Sequence, residues 1–290
     1  MKPAPFTYHR PATVAEAGEM IVSSQGKVLA GGQSLIPIMS MRLAAPAALV
    51  DINHVRGLAD IEVDADRVRI GALVRHSQLE HHEGAFAANP LLRRTLSQVA
   101  HPTIRNRGTT VGSLVHADPA GEMPAVLLLL GGTVDAASSA RGHRTIGADE
   151  FFVGPLESAL EADELAVSAS FPHPRPGSGS SWRELARRHG DYALVGAGAV
   201  VTVDDGTVTS ARLALISVAM TPVVVDVSGL LSNSPHERLD TADALEAVTA
   251  AISPEGDIHA SADYRAHLAR VLSDAVLREA AGEATSAAAA

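Results

Sequence analysis

Cysteine is missing from all 290 residues, which excludes disulfides and cysteine-ligated iron–sulfur clusters built by this chain alone. Any cluster working with it has to sit on a partner. Basic residues are also short: 23 Lys and Arg face 33 Asp and Glu, a net charge of −10, and nucleic acid is excluded as the main partner. Long uninterrupted apolar runs are absent, and the opening MKPAPFTYHRP has no apolar signal region. A cytoplasmic protein is therefore expected. Neither common nucleotide fingerprint occurs, since there is no G-x-G-x-x-G and no glycine loop closing on Gly-Lys-Ser/Thr.

What is present is an ordinary soluble composition, 46% hydrophobic and 19% charged, long enough for two or three modules. One stretch organises the rest, Lys27 to Leu43, KVLAGGQSLIPIMSMRL. Lys27 to Ala30 read as a short strand that breaks at Gly31 and Gly32. A helix is predicted directly afterwards, with Ser34 as N-cap, Pro37 in its first turn, and Leu35, Ile38, Met39 and Leu43 on one face. Strand, glycine turn and helix start together leave free backbone N–H groups around a gap without Cβ atoms, where a pyrophosphate fits. A tight turn with no ligand is the commoner use of such a pair.

Around this stretch the pattern is α/β without a regular βαβ repeat. Helices are predicted over Pro11 to Ser23 and ending near His101, and strands over Leu49 to Ile52 and Arg67 to Ala72. A second informative stretch, Ile104 to Gly132, holds a loop of Thr109, Thr110, Gly112 and Ser113. An Asp118–Pro119 turn follows, then a helix opened by Pro124 and closed by Gly131 and Gly132. Glu122 stands just ahead of that helix, placed either to cap it or to accept hydrogen bonds from ligand hydroxyls. His76, His81 and His82 lack metal spacing and are read as solvent-facing. His116 and Asp118 sit in one turn without a nucleophile elbow, which argues against a hydrolytic triad.

Proline, glycine and serine in PHPRPGSGSS, Pro172 to Ser181, mark a module boundary. Beyond it, strands over Val195 to Val203 and Thr207 to Ile216 are joined by an Asp205–Gly206 hairpin turn. Helices follow over Ala242 to Ile252 and Ser261 to Glu279, the second burying Tyr264, Leu268, Val271, Leu272 and Ala275. The alanine-rich end has nothing obvious to pack and is expected to fray.

Taken together, AGGQSLIPIM (Ala30 to Met39) and GTTVGSLVHADPAGEMPA (Gly108 to Ala125) resemble the FAD-binding medium subunit of molybdenum hydroxylases. That group includes the medium subunits of aerobic carbon monoxide dehydrogenase, quinoline oxidoreductase and nicotine-degrading dehydrogenases, and the flavin domain of xanthine dehydrogenase. FFVGPLESALEADEL, RRHGDYA, Thr221–Pro222 and SADYRAHLARVL extend the resemblance over nearly the whole chain. It implies an α+β fold: a two-part, PCMH-type FAD-binding domain of two α/β subdomains over residues 1–175, a small antiparallel sheet with helices over 180–280, and a frayed tail over 281–290.

The resemblance also implies a site. Ala30, Gly31, Gly32, Gln33, Ser34 and Leu35 would wrap the FAD pyrophosphate; Thr109, Thr110, Val111, Gly112 and Ser113 would lie along it. Glu122 would bind ribityl or ribose hydroxyls where the family often has Asp. Val167, on a strand Leu165 to Phe171, would lean its backbone toward the isoalloxazine, Tyr192 would shield a ring face, and Arg183 or Arg187 would add positive charge. Val111 departs from the family, which commonly has glycine there, and a β-branched residue restricts φ and adds bulk.

No side chain of this chain is expected to act as a catalytic acid or base, and no metal is expected in it. The implied role is electron transfer in a heterotrimer. A large molybdopterin subunit oxidises the substrate, a small [2Fe–2S] subunit delivers electrons to FAD here, and an external acceptor receives them; the whole is expected to be a dimer of heterotrimers. A self-contained FAD oxidoreductase and a flavin-free scaffold subunit are the alternatives.

Overall fold

The computed structural model describes residues 1–232 and 234–288. Its first layer is a parallel sheet of three short strands, with Ala48–Asp51 between Thr7–His9 and Lys27–Leu29. Covered on both sides, the middle strand is buried along its whole length, as parallel strands usually are. The connecting helix Val14–Ser24 starts where Thr13 Oγ1 accepts from the Glu16 N–H at 3.2 Å, and it buries Ala17 and Ile21. It stops at Gln25, which turns left-handed.

The second layer is a five-stranded antiparallel sheet in the order Ile61–Val63, Arg67–Gly71, Glu164–Pro172, Thr133–Ser138, Gly142–Gly147. Its middle strand arrives last in the chain, after a run of helices that includes Pro90–Leu96, Thr110–His116 and Glu122–Leu130. The last of these is apolar nearly all round, with Met123, Val126, Leu127 and Leu129 fully shielded. Such a helix needs cover on every side. It finds it between the middle strand of this sheet and the strands Ala193–Asp204 and Thr207–Ile216 of the next.

Those strands belong to a four-stranded antiparallel meander, Ser178–Ala186, Ala193–Asp204, Thr207–Ile216 and Val223–Asp226. The Asp205–Gly206 turn has positive φ at both positions, the type I′ geometry that suits a two-residue hairpin. Alternation along the strands divides the meander between two cores. Trp182, Ala214 and Ile216 join the core of the five-stranded sheet, while Val195, Ala197, Val201 and Leu213 meet the long helix Ala262–Ala288.

Two features differ in detail from the expected pattern. The boundary segment is shorter than PHPRPGSGSS suggests, because Ser178 already belongs to a strand. More consequentially, the helix does not fray from residue 281: it continues to Ala288, with Ala281 and Ala284 fully buried; residues 289–290 lie outside the described residues. Small side chains are the reason. A Cβ at Gly179 would lie 2.1 Å from the Ala280 carbonyl oxygen and 2.5 Å from the Ala284 nitrogen, so glycine and alanines let strand and helix press backbone to backbone. Glu283 locks the contact, accepting from the Ser180 N–H at 2.8 Å and pairing with Arg94 of Pro90–Leu96. This tilts the buried face toward Leu268, Ala269, Val276 and Leu277, leaving Tyr264 and Val271 exposed.

Candidate functional site

The strand Lys27–Leu29 ends at the first glycine turn, and the helix Leu35–Ser40 begins after it. Gly32 has φ +72°, a conformation that disfavours any side chain. Ser34 occupies the N-cap position in helical geometry and makes no capping bond. The Gln33 side chain donates to the Gly31 carbonyl at 3.2 Å. Among the described residues the N–H groups of Gly32, Gln33, Ser34 and Leu35 meet no acceptor. Four neighbouring unpaired donors on one turn suit an anion. The expected apolar face is only partly realised: Met39 is buried, and Leu43 lies past the helix end in solvent.

The second glycine turn lies against the first. A Cβ on Gly31 would stand 2.5 Å from the Arg107 carbonyl oxygen, 2.7 Å from Gly108 Cα and 2.9 Å from the Thr109 nitrogen. Only glycine permits that approach. Here the expected loop is already helical, since Thr110–His116 is a helix capped by Thr109, whose Oγ1 accepts from the Gly112 N–H at 3.1 Å. Thr110 Oγ1 is engaged with His76 Nδ1 at 3.1 Å. Both threonine hydroxyls are thus spent on holding the turn, while among the described residues the Val111 N–H and Ser113 hydroxyl meet no partner. Val111 is harmless in this setting. Negative φ is what a helix requires, and its side chain is buried in the main core.

Two residues that no motif pointed to stitch the turns together. Asn53 Nδ2 donates to the Ala30 carbonyl at 2.8 Å, Arg75 Nη2 donates to Asn53 Oδ1 at 2.6 Å, and Arg75 Nη1 donates to the Arg107 carbonyl. Arg75 also bridges to Thr109 through the backbone. His76, expected in solvent, is buried beneath Gly108, and its N–H donates to the Gly108 carbonyl at 3.0 Å. Burial, then the nearby Arg105, pushes its pKa down to about 4, so the ring is neutral at physiological pH. His81 is exposed, and His82 is half-buried as the N-cap of Glu83–Ala88.

Carboxylates gather elsewhere in the site. Glu122 is the first residue of Glu122–Leu130, with Gly121 in the capping position instead. Among the described residues no other residue donates to its carboxylate. Burial, then Glu184 and Asp118, pushes its pKa up to about 8. Glu184, on Ser178–Ala186, is itself raised by burial, although Trp182 Nε1 donates to it at 3.1 Å. The turn ahead of Glu122 is pinned to the C-terminal sheet where the Ser217 N–H donates to the Pro119 carbonyl at 3.0 Å. Tyr192 stands beside this group: the residue is largely exposed, and partial desolvation of its hydroxyl on the protein side, then the charges of Asp118, Glu122 and Asp191, raise the phenol.

The remaining expected positions divide. Val167 sits at a β-bulge, unpaired toward Thr133–Ser138, and its carbonyl accepts from the Ala72 N–H at 2.9 Å. It lines an open pocket of about 290 Å³ with Arg69, Asp135, His143, Arg144 and Thr145, which contains neither glycine turn. Arg183 is not brought to the site. Strand alternation turns it away from Glu184, onto Glu279 of the long helix. Arg187 bonds Asp191 at 2.9 Å and His259 at 3.0 Å.

Sequence comparison agrees with this geometry. The profile of the FAD binding domain in molybdopterin dehydrogenase matches residues 4–174, and that of the CO dehydrogenase flavoprotein C-terminal domain matches 180–280. The chain belongs to the FAD-binding medium subunits of molybdenum hydroxylases. The 6-hydroxypseudooxynicotine dehydrogenase complex subunit alpha of Paenarthrobacter nicotinovorans is 38% identical, over 97% of this chain and 96% of its own length. The carbon monoxide dehydrogenase medium chain of Afipia carboxidovorans is 35% identical over 94% and 95%. Among solved structures, a chain of quinoline 2-oxidoreductase from Pseudomonas putida 86 superposes with a TM-score of 0.91 at 36% identity, covering 98% of this chain and 99% of that one. The medium subunit's own groups fit FAD: unpaired N–H donors suit a diphosphate, and a carboxyl without a protein donor suits sugar hydroxyls. No described helix is long and apolar enough to cross a membrane, and no described group of His, Asp or Glu could hold a metal ion.

Proposed function

We propose that this medium subunit holds FAD along the seam of its two glycine turns and relays electrons within a heterotrimeric molybdenum hydroxylase. The backbone contact between Gly31 and Arg107–Thr109 carries the reading, because it joins remote parts of the chain beside four unpaired N–H donors. On this reading Ala30, Gly31, Gly32, Gln33, Ser34 and Leu35 take the diphosphate, with Val111 to Ser113 alongside. Glu122 receives sugar hydroxyls, and the bulged backbone at Val167 and the ring of Tyr192 serve the isoalloxazine. Residues 1–175 hold the cofactor, and residues 180–280 close over it.

Bound FAD supplies the ability to take electrons singly and give them up in pairs. The chain's own residues bind and orient it. With no cysteine available, the [2Fe–2S] clusters reside on a small partner subunit and the molybdenum–pterin cofactor on a large one, where substrate is oxidised. Electrons leave to an external acceptor. The assembly is a dimer of heterotrimers in the cytoplasm.

Purification of the tagged chain from its native host tests this. Flavin absorbance with releasable FAD, together with iron, molybdenum and two further chains, is the expected result. A flavin-free chain would support a scaffold subunit instead, and a flavoprotein purifying alone would support a self-contained oxidoreductase.

A further inference from the structure

Arg75 and Arg107 flank the meeting point of the two turns, and neither is paired with a carboxylate among the described residues. What sets Arg75 apart is its place, half-buried at a backbone seam; other arginines drawn into the protein are neutralised there. Arg94, Arg105, Arg144 and Arg265 each have an Asp or Glu within 2.8 Å. Arg75 is half-buried and held only by neutral acceptors, the Arg107 carbonyl and the Asn53 amide. Burial and the charge of Arg107 both lower its pKa, with Asp51 opposing them. Asp51 is already committed, accepting from Tyr8 and from the Asn53 backbone at 2.9 Å. A partly desolvated guanidinium beside a second one is unfavourable unless an anion joins them.

We infer that Arg75 and Arg107 supply the countercharge for the dinucleotide's diphosphate, with Arg75 also fixing the spacing of the two turns through Asn53. The inference rests on the FAD reading above and assigns part of the recognition to two side chains outside the glycine motifs. The guanidinium of Arg75 bonds the same carbonyl that Gly31 abuts, so its charge lies at the seam and not on a distant surface. Asn53 holds the Ala30 carbonyl in the same network. A planar fork held by two acceptors is fixed in place before any ligand arrives, and little rotamer freedom is lost on binding.

The test uses the full-length chain stripped of flavin and titrated with FAD by fluorescence quenching over a range of salt concentrations. Wild type, Arg75→Met, Arg75→Lys and Arg107→Met are compared, with circular dichroism and thermal melts reporting the fold. Arg75→Met should weaken FAD binding about 30-fold and Arg107→Met about five-fold, both flattening the salt dependence, while Arg75→Lys should keep the wild-type salt dependence. Salt dependence separates charge from mere architecture, because a purely structural tie would not change it. Should Arg75→Met fail to fold, Arg107→Met decides: its side chain is exposed and makes no bond the fold needs. Variants binding FAD within two-fold of wild type, with its salt slope, would overturn the inference alone. A wild-type chain that binds no FAD would overturn it together with the FAD reading.

Discussion

The two sides of the proposed site hold opposite kinds of ionisable group and settle them differently: the guanidiniums keep their charge with no carboxylate beside them, while Glu122, pushed up to about 8, keeps its proton. At the seam of the turns, Arg75 and Arg107 have no carboxylate partner among the described residues; beside Glu122–Leu130, Glu122, Glu184 and Asp118 crowd one another. Elsewhere some opposite charges meet directly, as in Arg105 with Glu80 at 2.8 Å and Arg144 with Glu164 at 2.7 Å. Unpaired charge is costly, and folding alone gives no reason to keep two such groups. A ligand with a diphosphate at one place and hydroxyls at another gives one. The two sides also differ in construction, since backbone approach builds the first and side chains build the second.

Because the seam depends on backbone approach, its largest weakness is a single methyl group. Gly31→Ala places a Cβ within 2.5 Å of the Arg107 carbonyl, and no flexible side chain can yield there. FAD affinity should fall by about 100-fold or more while the acidic side keeps its titration, as checked by flavin titration and pH melts. An unaffected affinity would mean that the seam is not where the cofactor is held. The next effect concerns the floor of the second turn. Val111→Gly restores the residue common in the family, yet it removes a buried side chain from a helix. Stability should drop by roughly 2–4 kcal/mol in denaturant unfolding, with no gain in FAD affinity.

The sequence made the seam's parts visible and its joinery invisible. Glycine pairs, the hairpin Asp205–Gly206 and the apolar helix before Gly131 are local signals, decided by φ and by periodicity. Asn53, Arg75 and His76 act across long separations, through pairings that no local pattern encodes. The same blindness produced the expected frayed tail. Alanines with little to bury look idle in sequence, whereas here their smallness lets the helix reach Gly179. Arg183 was misplaced for a related reason: alternation along its strand was legible only once the strand's register was known.

The acidic side can be tested without ligand. Glu122 titrates near 8 in the folded chain against 4.5 ordinarily, so its contribution to stability is complete below pH 4.5 and lost as pH rises through about 8. His76, lowered from 6.5 to about 4, works in the opposite sense up to pH 6.5, so the clean window is pH 6.5 to 8, where wild-type stability should decline by at most about 1.4 kcal/mol per pH unit and Glu122→Gln should flatten the profile. A wild-type profile already flat from pH 6.5 to 8 would place the carboxyl in water and remove one side of the contrast.

Glu184→Gln gives the smallest effect and the sharpest distinction. Burial is the first cause of the Glu122 shift and the Glu184 charge the second, so removing that charge lowers the Glu122 pKa part of the way and leaves it above 4.5. Asp118 and Tyr192 still face the carboxyl, and His189, which acts on Glu184, loses its partner. The Glu122 carboxyl resonance, followed by carbon-13 NMR against pH, should therefore show its midpoint move downward without reaching the ordinary value. An unmoved midpoint would assign the shift to burial alone and make the crowding of carboxyls incidental. A midpoint falling fully to 4.5 would mean that charge, and not desolvation, sets the proton affinity beside the sugar hydroxyls.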